Sequence, residues 1–515
     1  MRLGIDFGTT RTVVAAVDRG NYPVLSFEAP DGSAHDWFPS LVAVRGEQRV
    51  YGWEAWIRQQ EADWTVVRSL KRVMDDAGPR TRIEIGNQSI PLLQLLGEMA
   101  RAIRAQLPHE KMEAMLGVPA NANGNQRFLT TEAFRVAGFD VIGILNEPSA
   151  ASIEYGHKNQ EPGLLLVYDL GGGTFDASLV EMGDREHRVI VSEGIPTLGG
   201  DDFDLVLAEM AVGQEIYAGL DQSETFRLHE ECRIKKEALH PNTRKIVLDL
   251  DAVREGLGTI SIPIAEYYDR CRPMLDETVN LVEDMLASGN TSDLDALYVT
   301  GGGSELPLVG RVLKEKFGRR VKRSAHTRSA TAIGLAIQSD TQAGYVLRDH
   351  FTRYFGVWRE GDEGRNVTFD PLFPKGTPLP SRGEPALEIS RYYCPVHNVG
   401  VFRYLECSHI DASTRPAGDI TVWDEIRFPF DPQLDDIDET PVQHLDRVRH
   451  QTIEEKYVCD AGGAVTVTIR NDTAGYSRDY RLGRWAAKEA AITPGKPTSS
   501  RARSKTASHS RRSST

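Results

Sequence analysis

The sequence predicts a mixed α/β protein in which two similar lobes face each other across a cleft and a smaller antiparallel β domain follows. Three observations predict this fold. In the first 340 residues, short β-branched runs alternate with longer amphipathic segments, and glycine-rich turns separate them. Two of these segments repeat each other at a fixed offset. From about residue 345, prolines accumulate and apolar residues alternate with period two, which is typical of antiparallel strands.

Amphipathic helices are predicted where apolar residues recur every three or four positions. One predicted helix face consists of Leu92, Leu95, Leu96, Met99 and Ile103. A second consists of Leu306, Val309, Val312, Leu313 and Phe317. In the C-terminal part, residues 464–470 alternate between apolar and polar and lie between two turn-rich segments, which predicts a strand of a small sheet.

Composition excludes several classes of protein. The chain has 515 residues and a formal net charge of −14, which disfavours sequence-independent binding to nucleic acid or to anionic lipid. The five cysteines are widely spaced and form no Cys-x-x-Cys pair, so we expect a reducing compartment. No stretch approaches the roughly 20 apolar residues of a membrane span. We therefore expect a cytoplasmic protein without a membrane partner.

Two segments differ from the rest of the chain in charge. Residues 431–446 form an acidic loop with six carboxylates, which we expect to be solvated. The tail beyond residue 494 is rich in serine, lysine and arginine and lacks apolar periodicity, which predicts disorder. We expect no nucleic-acid partner except through this basic tail.

The internal repeat relates residues 4–17 to residues 167–180 at an offset of 163, without a gap. It matches Asp6 to Asp169 and Gly8 to Gly171. Each copy is predicted to contain an apolar strand that ends in an aspartate, a tight turn rich in glycine and threonine, and a second strand. Two such units in register predict two related lobes with their turns facing one cleft.

The two turns have the composition of phosphate-binding hairpins. Glycine lets consecutive backbone amides approach one anion, and threonine adds hydroxyl donors. The residues concerned are Gly8, Thr9 and Thr10 in the first turn and Gly171, Gly172, Gly173 and Thr174 in the second. A third glycine run at 301–303 lies between a predicted strand and a predicted helix, where it could receive a phosphate or an adenosine.

A divalent cation is predicted between these turns. Asp6 and Asp169 end their strands at the mouths of the two hairpins, and two carboxylates would repel a polyphosphate unless a cation intervened. Magnesium keeps several waters and binds few carboxylates together with substrate phosphates. We therefore expect both aspartates to hold Mg²⁺ largely through water. The chain contains neither GxxxxGK[ST] nor GxGxxG, which excludes a P-loop and disfavours a Rossmann site.

These motifs, in this order, resemble the 70-kDa heat-shock chaperones of the DnaK type over nearly all of residues 2–340. The matching segments are 69–74, 118–138, 144–156, 198–204, 301–303 and 329–338. The resemblance implies a duplicated, actin-like ATPase fold with ribonuclease-H-like lobes at 1–340 and an interdomain linker at 341–349. It further implies a β-sandwich substrate-binding-like domain at 350–487, followed by the basic tail at 488–515.

The resemblance also implies ATP or ADP with Mg²⁺ as cofactors and a slow ATPase activity. Lys71 matches the lysine that reaches the γ-phosphate and the attacking water, and Glu147 matches a carboxylate near that water. Asp169 matches a magnesium-associated acid and proton acceptor, and Thr174 belongs to the same catalytic group. Cofactor-binding roles extend to Gly8, Thr9, Thr10, Gly171, Gly172, Gly173, Thr174, Gly199, Gly200, Asp201, Lys236, Gly301, Gly302 and Gly303.

The sequence departs from the family pattern at several positions of the predicted site. Arg11 replaces a small polar residue after the first pair of threonines. On the adenosine side, Arg233 and His240 replace a glutamate and a serine. Glu305 stands where an adenine-stacking arginine is common. The base selectivity of the site is therefore open.

By resemblance, the chain is a chaperone-like ATPase that couples Mg-ATP turnover to the binding of client polypeptides, with a J-domain co-chaperone and a nucleotide exchange factor as partners. We expect no helical lid after the β domain, and hence fast client exchange. A nucleotide-responsive scaffold with little turnover is the main alternative. A small-molecule kinase of the same fold and an actin-like filament protein are the others.

Overall fold

The computed structural model describes residues 1–481 and 493–494, apart from residues 60, 62, 75, 76, 79, 108–110, 160, 289–293, 362–365, 381–383, 435, 436, 461 and 462. The predicted basic tail at 488–515 lies outside the described residues, except for Thr493–Pro494. These two residues pair with Tyr476 and Ser477 as a short edge strand, so backbone hydrogen bonding gives this part of the predicted disordered tail a defined place.

The first lobe is built around one five-stranded sheet. Its elements are β1 (Arg2–Phe7), β2 (Arg11–Ala16), β3 (Phe27–Glu28), β4 (Ala34–His35), β5 (Phe38–Pro39), β6 (Leu41–Arg45), β7 (Gln48–Tyr51), α1 (Trp53–Arg58), β8 (Thr65–Arg68), α2 (Leu70–Val73), β9 (Arg82–Ile85), β10 (Gln88–Pro91), α3 (Leu92–Ala105), β11 (Glu113–Val118), α4 (Gly124–Val136), β12 (Asp140–Asn146) and α5 (Glu147–Asn159). The sheet order is β12-β11-β1-β2-β5, and the smaller sheets are β7-β6-β8, β9-β10 and β3-β4.

The second lobe is built around one six-stranded sheet. Its elements are β13 (Gly163–Leu170), β14 (Phe175–Met182), β15 (Glu186–Ile195), α6 (Gly200–Ala218), α7 (Gln222–Glu237), β16 (Lys245–Asp249), β17 (Thr259–Pro263), α8 (Ile264–Ser288), β18 (Ala296–Thr300), α9 (Pro307–Phe317), β19 (Val321–Arg323), α10 (Ala330–Ser339) and β20 (Val346–Arg348). The sheet order is β19-β18-β13-β14-β15-β20, and β16 and β17 form a separate hairpin.

The two lobes repeat one topology. In the first sheet, β1 and β2 form an antiparallel hairpin, and β11 and β12 continue parallel to β1. In the second sheet, β13 and β14 form the hairpin, and β18 and β19 continue parallel to β13. The repeat that the sequence reveals at residues 4–17 and 167–180 is therefore the central hairpin of each sheet.

The predicted helix faces are buried, except for Phe317, which is partly buried. In α3, all five apolar residues of the predicted face lie in the core of the first lobe. In α9, Leu308, Val309, Val312 and Leu313 pack into the core of the second lobe. Pro307 begins the helix, where the absence of a backbone N–H costs nothing because the first N–H groups of a helix have no partner within it. Leu306 is buried just before the helix begins.

Helices α5 and α10 join the lobes by lying against each other. Helix α5 also contacts β13 and β14 of the second lobe, whereas α10 contacts β1 and β11 of the first. The approach is so close that a Cβ on Gly334 would lie 1.8 Å from the backbone oxygen of Ala150, and one on Gly4 would lie 2.2 Å from that of Ala332. Glycine at these two positions therefore sets the spacing between the helices and the sheet.

The C-terminal region consists of two antiparallel sheets. Its strands are β21 (Tyr354–Gly361), β22 (Asn366–Phe373), β23 (Leu387–Tyr393), β24 (Val399–Ile410), β25 (Pro416–Pro429), β26 (Ile453–Cys459), β27 (Val465–Asn471), β28 (Tyr476–Arg481) and β29 (Thr493–Pro494). The sheet orders are β22-β21-β24-β25 and β23-β26-β27-β28-β29. Buried side chains from both sheets, such as Phe355, Tyr404, Tyr457 and Val467, form one core.

The predicted linker at 341–349 contains a strand. Within it, β20 pairs in parallel with β15, so that Leu347 lies opposite His187 at the edge of the second lobe's sheet. Arg348, which interrupts the apolar run of the linker, forms ion pairs with Glu186 and Glu384. Sheet pairing therefore holds this segment against the lobe.

The acidic loop is only partly solvated. Asp431 is 1% exposed and forms an ion pair with Arg447, which differs from the solvated loop that its composition predicts. Asp435 and Asp436 lie outside the described residues.

Over the described ranges, no helix has both the length and the hydrophobicity that crossing a membrane would require. The five cysteines are free thiols, and Cys394 is exposed.

Candidate functional site

The tips of the two central hairpins meet in the cleft between the lobes. Both turns close in the same way, with the Gly8 N–H donating to the Arg11 carbonyl at 3.1 Å and the Gly171 N–H donating to the Thr174 carbonyl at 2.9 Å. A Cβ on Gly172 would lie 2.9 Å from Thr10 Oγ1, and one on Gly173 would lie 2.7 Å from Thr9 Oγ1. Only glycine therefore lets the second tip approach the threonines of the first.

Two further glycine segments pack against the second hairpin. Helix α6 begins beside it, with the Gly200 N–H donating to the Gly171 carbonyl at 2.9 Å and the Asp201 N–H donating to the Gly172 carbonyl at 2.8 Å. A Cβ on Gly199 would lie 2.6 Å from the backbone of Gly172. In the run at 301–303, Gly301 has a φ of 82°, and its Cβ would lie 2.4 Å from Asp169 Oδ1.

A buried ion pair lies in the same cleft. Lys71 Nζ is 2.5 Å from Glu147 Oε1, and the two residues are 7% and 8% exposed. Lys71 comes from the short helix α2, and Glu147 is the first residue of α5. Burial alone would lower the pKa of Lys71, but the carboxylates of Glu147 and Asp6 outweigh it and raise that pKa. The lysine is therefore charged.

Three aspartates in or beside the cleft have raised pKa values. Burial, together with the charge of Glu147, raises the pKa of Asp6 to about 7 and that of Asp176 to about 7. Burial raises the pKa of Asp169 well above its usual value, and the charges of Glu147 and Asp6 add to this effect. The charge of Asp6 thus reaches Asp169, and the two aspartates of the repeat line the same cleft.

The carboxylates fit a hydrated magnesium ion. When Asp6, Asp169 and Asp176 lose their protons, they and Glu147 set four negative charges against the one positive charge of Lys71, an excess that a divalent cation would offset. Across the described part of the chain, no three His, Cys, Asp or Glu side chains are arranged to ligate a metal directly. A magnesium ion here would therefore take most of its ligands from water and phosphate.

Lys236 is positioned at the start of α6. Its Nζ is 2.7 Å from Asp204 Oδ1 and donates to the Gly200 carbonyl at 2.5 Å. Burial raises the pKa of Asp204 to about 6, although Lys236 opposes this shift. Ser69 Oγ donates to Asp201 Oδ2 at 3.0 Å, which ties the first lobe to the start of α6.

The cleft also holds three arginines around one carboxylate, which we call the arginine cluster. Arg11, Arg233 and Arg328 approach Glu237 with N–O distances of 2.6, 3.0 and 3.4 Å. Arg328 also pairs with Glu305. Burial alone would raise the pKa of Glu237, but the three arginines outweigh it and lower that pKa to about 2. Of these residues, the sequence singles out Arg11, Arg233 and Glu305.

The structure brings the predicted site residues together. The following predicted residues line one cleft: Asp6, Gly8, Thr9, Thr10, Lys71, Glu147, Asp169, Gly171, Gly172, Thr174, Gly200, Asp201, Lys236, Gly301, Gly302 and Gly303. Gly173 belongs to the second hairpin tip and Gly199 packs against that tip, but neither is among the lining residues. His240 is not among the lining residues.

Sequence reasoning missed several residues of the site. Asp176 lies opposite Asp169 in the hairpin register, and its Oδ1 accepts a 2.9 Å hydrogen bond from the Ala120 N–H. Its position two residues after Thr174 is a signal that could have identified it. Glu237 and Arg328 give no such signal, because 91 positions separate them and the fold alone brings them together.

Comparisons with known proteins show the family of the chain. A family model described as Hsp70 protein matches residues 87–352, which is just over half of the 515-residue chain. The chaperone protein DnaK of Mycoplasmopsis synoviae (strain 53) is 29% identical over 406 residues, covering 74% of this chain and 65% of that relative. The chain thus spans slightly less than two thirds of the relative's length. Because the family model covers more than half of the chain, the protein belongs to the Hsp70 family.

Proposed function

We propose that the protein is a chaperone-like ATPase that binds Mg-ATP between its lobes, hydrolyses it slowly, and couples turnover to the binding of client polypeptides. The ATPase region corresponds to residues 1–340, the linker to 341–349 and the client-binding β-sandwich to 350–487. The observation that carries the proposal is the meeting of the two hairpin tips beside the buried pair of Lys71 and Glu147.

Around the phosphates, the residues of the chain would hold the nucleotide and the attacking water in position and supply positive charge. Thr9, Thr10 and Thr174 line the cleft, where their amides and hydroxyls would hold the phosphates. Lys71 would place a positive charge where negative charge develops on the transferred phosphoryl group. Glu147, fixed by Lys71, would orient the attacking water. A bound magnesium ion, held by Asp6 and Asp169 through water, would neutralise phosphate oxygens.

The linker gives this site a physical connection to the C-terminal sheets. Asn146 and Ser149 flank Glu147, and both donate to Asp349 Oδ2, at 2.9 and 3.3 Å. A movement of Glu147 on nucleotide binding or hydrolysis would therefore shift the groups that hold Asp349. A coupling free energy on the order of 1–3 kcal/mol is typical of such two-site systems.

A cavity in the C-terminal region that both apolar and charged side chains line is our candidate for the client site. Trp358, Tyr393, Val399, Phe402 and Phe430 line it. An extended polypeptide could bind there through main-chain hydrogen bonds and a side-chain pocket. A J-domain co-chaperone and a nucleotide exchange factor stay predictions from the resemblance.

Steady-state and single-turnover ATP hydrolysis by the full chain test the activity. We expect Lys71→Ala to abolish turnover and the surface variant Lys316→Ala, whose lysine pairs with Glu283, to match the wild type. The arginine cluster favours the second candidate function, a nucleotide-responsive scaffold, because it alters the nucleoside end of the site. Identical traces for the wild type and Lys71→Ala would favour the scaffold.

Client coupling needs a separate experiment. An unfolded peptide should accelerate ATP turnover in the wild type. Asp349→Ala should abolish this acceleration and leave the basal rate within about two-fold, because Asp349 contacts the linker anchors rather than the cleft. Equal stimulation of both proteins would contradict the coupling route.

A further inference from the structure

The nucleoside end of the cleft offers a base few flat apolar surfaces. Among the described residues that line the cleft, Val13 is the one aliphatic or aromatic side chain. The other flat groups are peptide planes of the glycine runs and the guanidinium groups of the arginine cluster. A nucleobase can stack on a guanidinium plane much as it does on an aromatic ring.

The three guanidinium groups differ in how accessible they are. Arg11 lies over the ring of Trp37 at 4.5 Å, and Arg233 lies over the ring of Trp56 at 5.1 Å. Their side chains are 14% and 8% exposed, whereas that of Arg328 is 34% exposed. Arg328 is therefore the most exposed arginine of the cluster, and it is one of the residues that line the cleft.

Arg328 is also held in a fixed plane. Its Nε donates to Glu305 Oε2 at 2.9 Å, and its Nη2 donates to the same carboxylate. Glu305 is itself fixed by Thr327 Oγ1, which donates to Oε1 at 2.8 Å. Nη2 of Arg328 also lies 3.4 Å from Glu237. A guanidinium held on two sides loses little conformational freedom when a ligand stacks on it.

We propose that Arg328 is the platform on which the purine base of the bound nucleotide stacks, and that Glu305 is the residue that positions it. This inference rests on the proposed function, since it assumes that the phosphates lie at the hairpin end of the cleft. It also gives a reason for the departure at position 305. The glutamate there holds a guanidinium supplied from position 328.

Calorimetric titration of the full chain tests this assignment, with Mg-ATP, Mg-GTP, Mg-CTP and Mg-tripolyphosphate as probes. In the wild type, ATP and GTP should bind at least about ten-fold more tightly than tripolyphosphate. The affinity for CTP should lie between that for the purine nucleotides and that for tripolyphosphate. Arg328→Ala should remove this advantage and leave tripolyphosphate binding unchanged. Arg328→Lys keeps the positive charge but has no planar group on which a base can stack, so its affinities for the four probes should resemble those of Arg328→Ala.

The positioning role of Glu305 has its own readout. Glu305→Ala should lose most of the purine advantage, whereas Glu305→Gln, which retains a hydrogen-bond acceptor, should keep more of it. Arg272→Ala is the control, because Arg272 forms surface ion pairs with Asp276 and Glu315. Thermal unfolding of each variant identifies any that fail to fold, and the Lys and Gln variants then carry the test.

The outcomes separate the two proposals. A wild type that binds neither ATP nor tripolyphosphate overturns the proposed function and this inference together. A wild type that binds ATP and tripolyphosphate equally well overturns the inference alone. The inference also fails if Arg328→Ala binds ATP normally, if it weakens ATP and tripolyphosphate equally, or if Arg328→Lys restores full purine affinity.

Discussion

Lys71 and Glu147 form a buried ion pair, with Nζ 2.5 Å from Oε1, although 76 positions separate them in the chain. Each residue belongs to a different helix of the first lobe, and the hairpin tips of both lobes lie in the same cleft. The pair therefore ties the catalytic candidates to the stability of the fold.

Removing one member of this pair should destabilise the protein strongly. Lys71→Met leaves Glu147 buried beside the Asp6 carboxyl, and an unpaired buried charge typically costs about 3–5 kcal/mol. The double variant Lys71→Met/Glu147→Gln should recover most of that loss, since neither group is then charged. Urea unfolding at pH 7 measures both, with Lys316→Met as the surface control. Additive losses in the double variant would contradict a direct pair.

Magnesium should stabilise the protein more at pH 8 than at pH 5. The pKa of Asp6 and that of Asp176 are raised from about 3.8 in the unfolded chain to about 7. Between these values the folded protein holds protons that the unfolded chain has lost, so these groups make stability fall as pH rises. A cation binds the deprotonated carboxylates and offsets this loss.

The comparison with and without Mg²⁺ is needed because other groups oppose the trend. Burial lowers the pKa of His187 to about 4, so this histidine makes stability rise with pH from about 4 to 6.5. Because His187 contributes equally with and without Mg²⁺, its contribution cancels when the gain in Tm on adding Mg²⁺ is compared between the two pH values. An equal gain at pH 5 and pH 8, or an unchanged gain in Asp6→Asn, would refute the assignment.

Gly199 should tolerate no side chain. A Cβ there would lie 2.6 Å from backbone atoms of Gly172 and Gly173, and backbone cannot swing aside as a flexible side chain can. We expect Gly199→Ala to cost about 1–3 kcal/mol of stability through this clash and to weaken Mg-ATP binding. Gly310→Ala in α9 is the matched control, because a Cβ at this position would have no atom within 4 Å. The substitution also replaces a glycine inside a helix by alanine, which has the higher helix propensity. It should stabilise by up to about 1 kcal/mol. Similar behaviour of the two variants would contradict the packing argument.

Much of this architecture can be predicted from local sequence patterns. The repeat at an offset of 163 predicts two related lobes, because Asp6 and Asp169 occupy the same place in two copies of one hairpin. The periodicity of residues 92–103 likewise predicts the buried face of α3. In both cases the information lies within one short segment.

The remaining features depend on distant contacts. The arginine cluster joins Arg11, Arg233 and Arg328 around Glu237, and no local pattern relates positions so far apart. The strand in the linker likewise depends on an edge of β15 about 160 residues earlier. Such pairings follow from the completed fold rather than from propensity.

Whether the two lobes bind a magnesium nucleotide can be measured by calorimetric titration of the full chain with ATP, with and without Mg²⁺. We expect magnesium-dependent binding at one site per chain, at least ten-fold weaker in Asp6→Asn and in Asp169→Asn. Binding of ATP that is independent of Mg²⁺ and unchanged in both variants would contradict it, as would the absence of any binding.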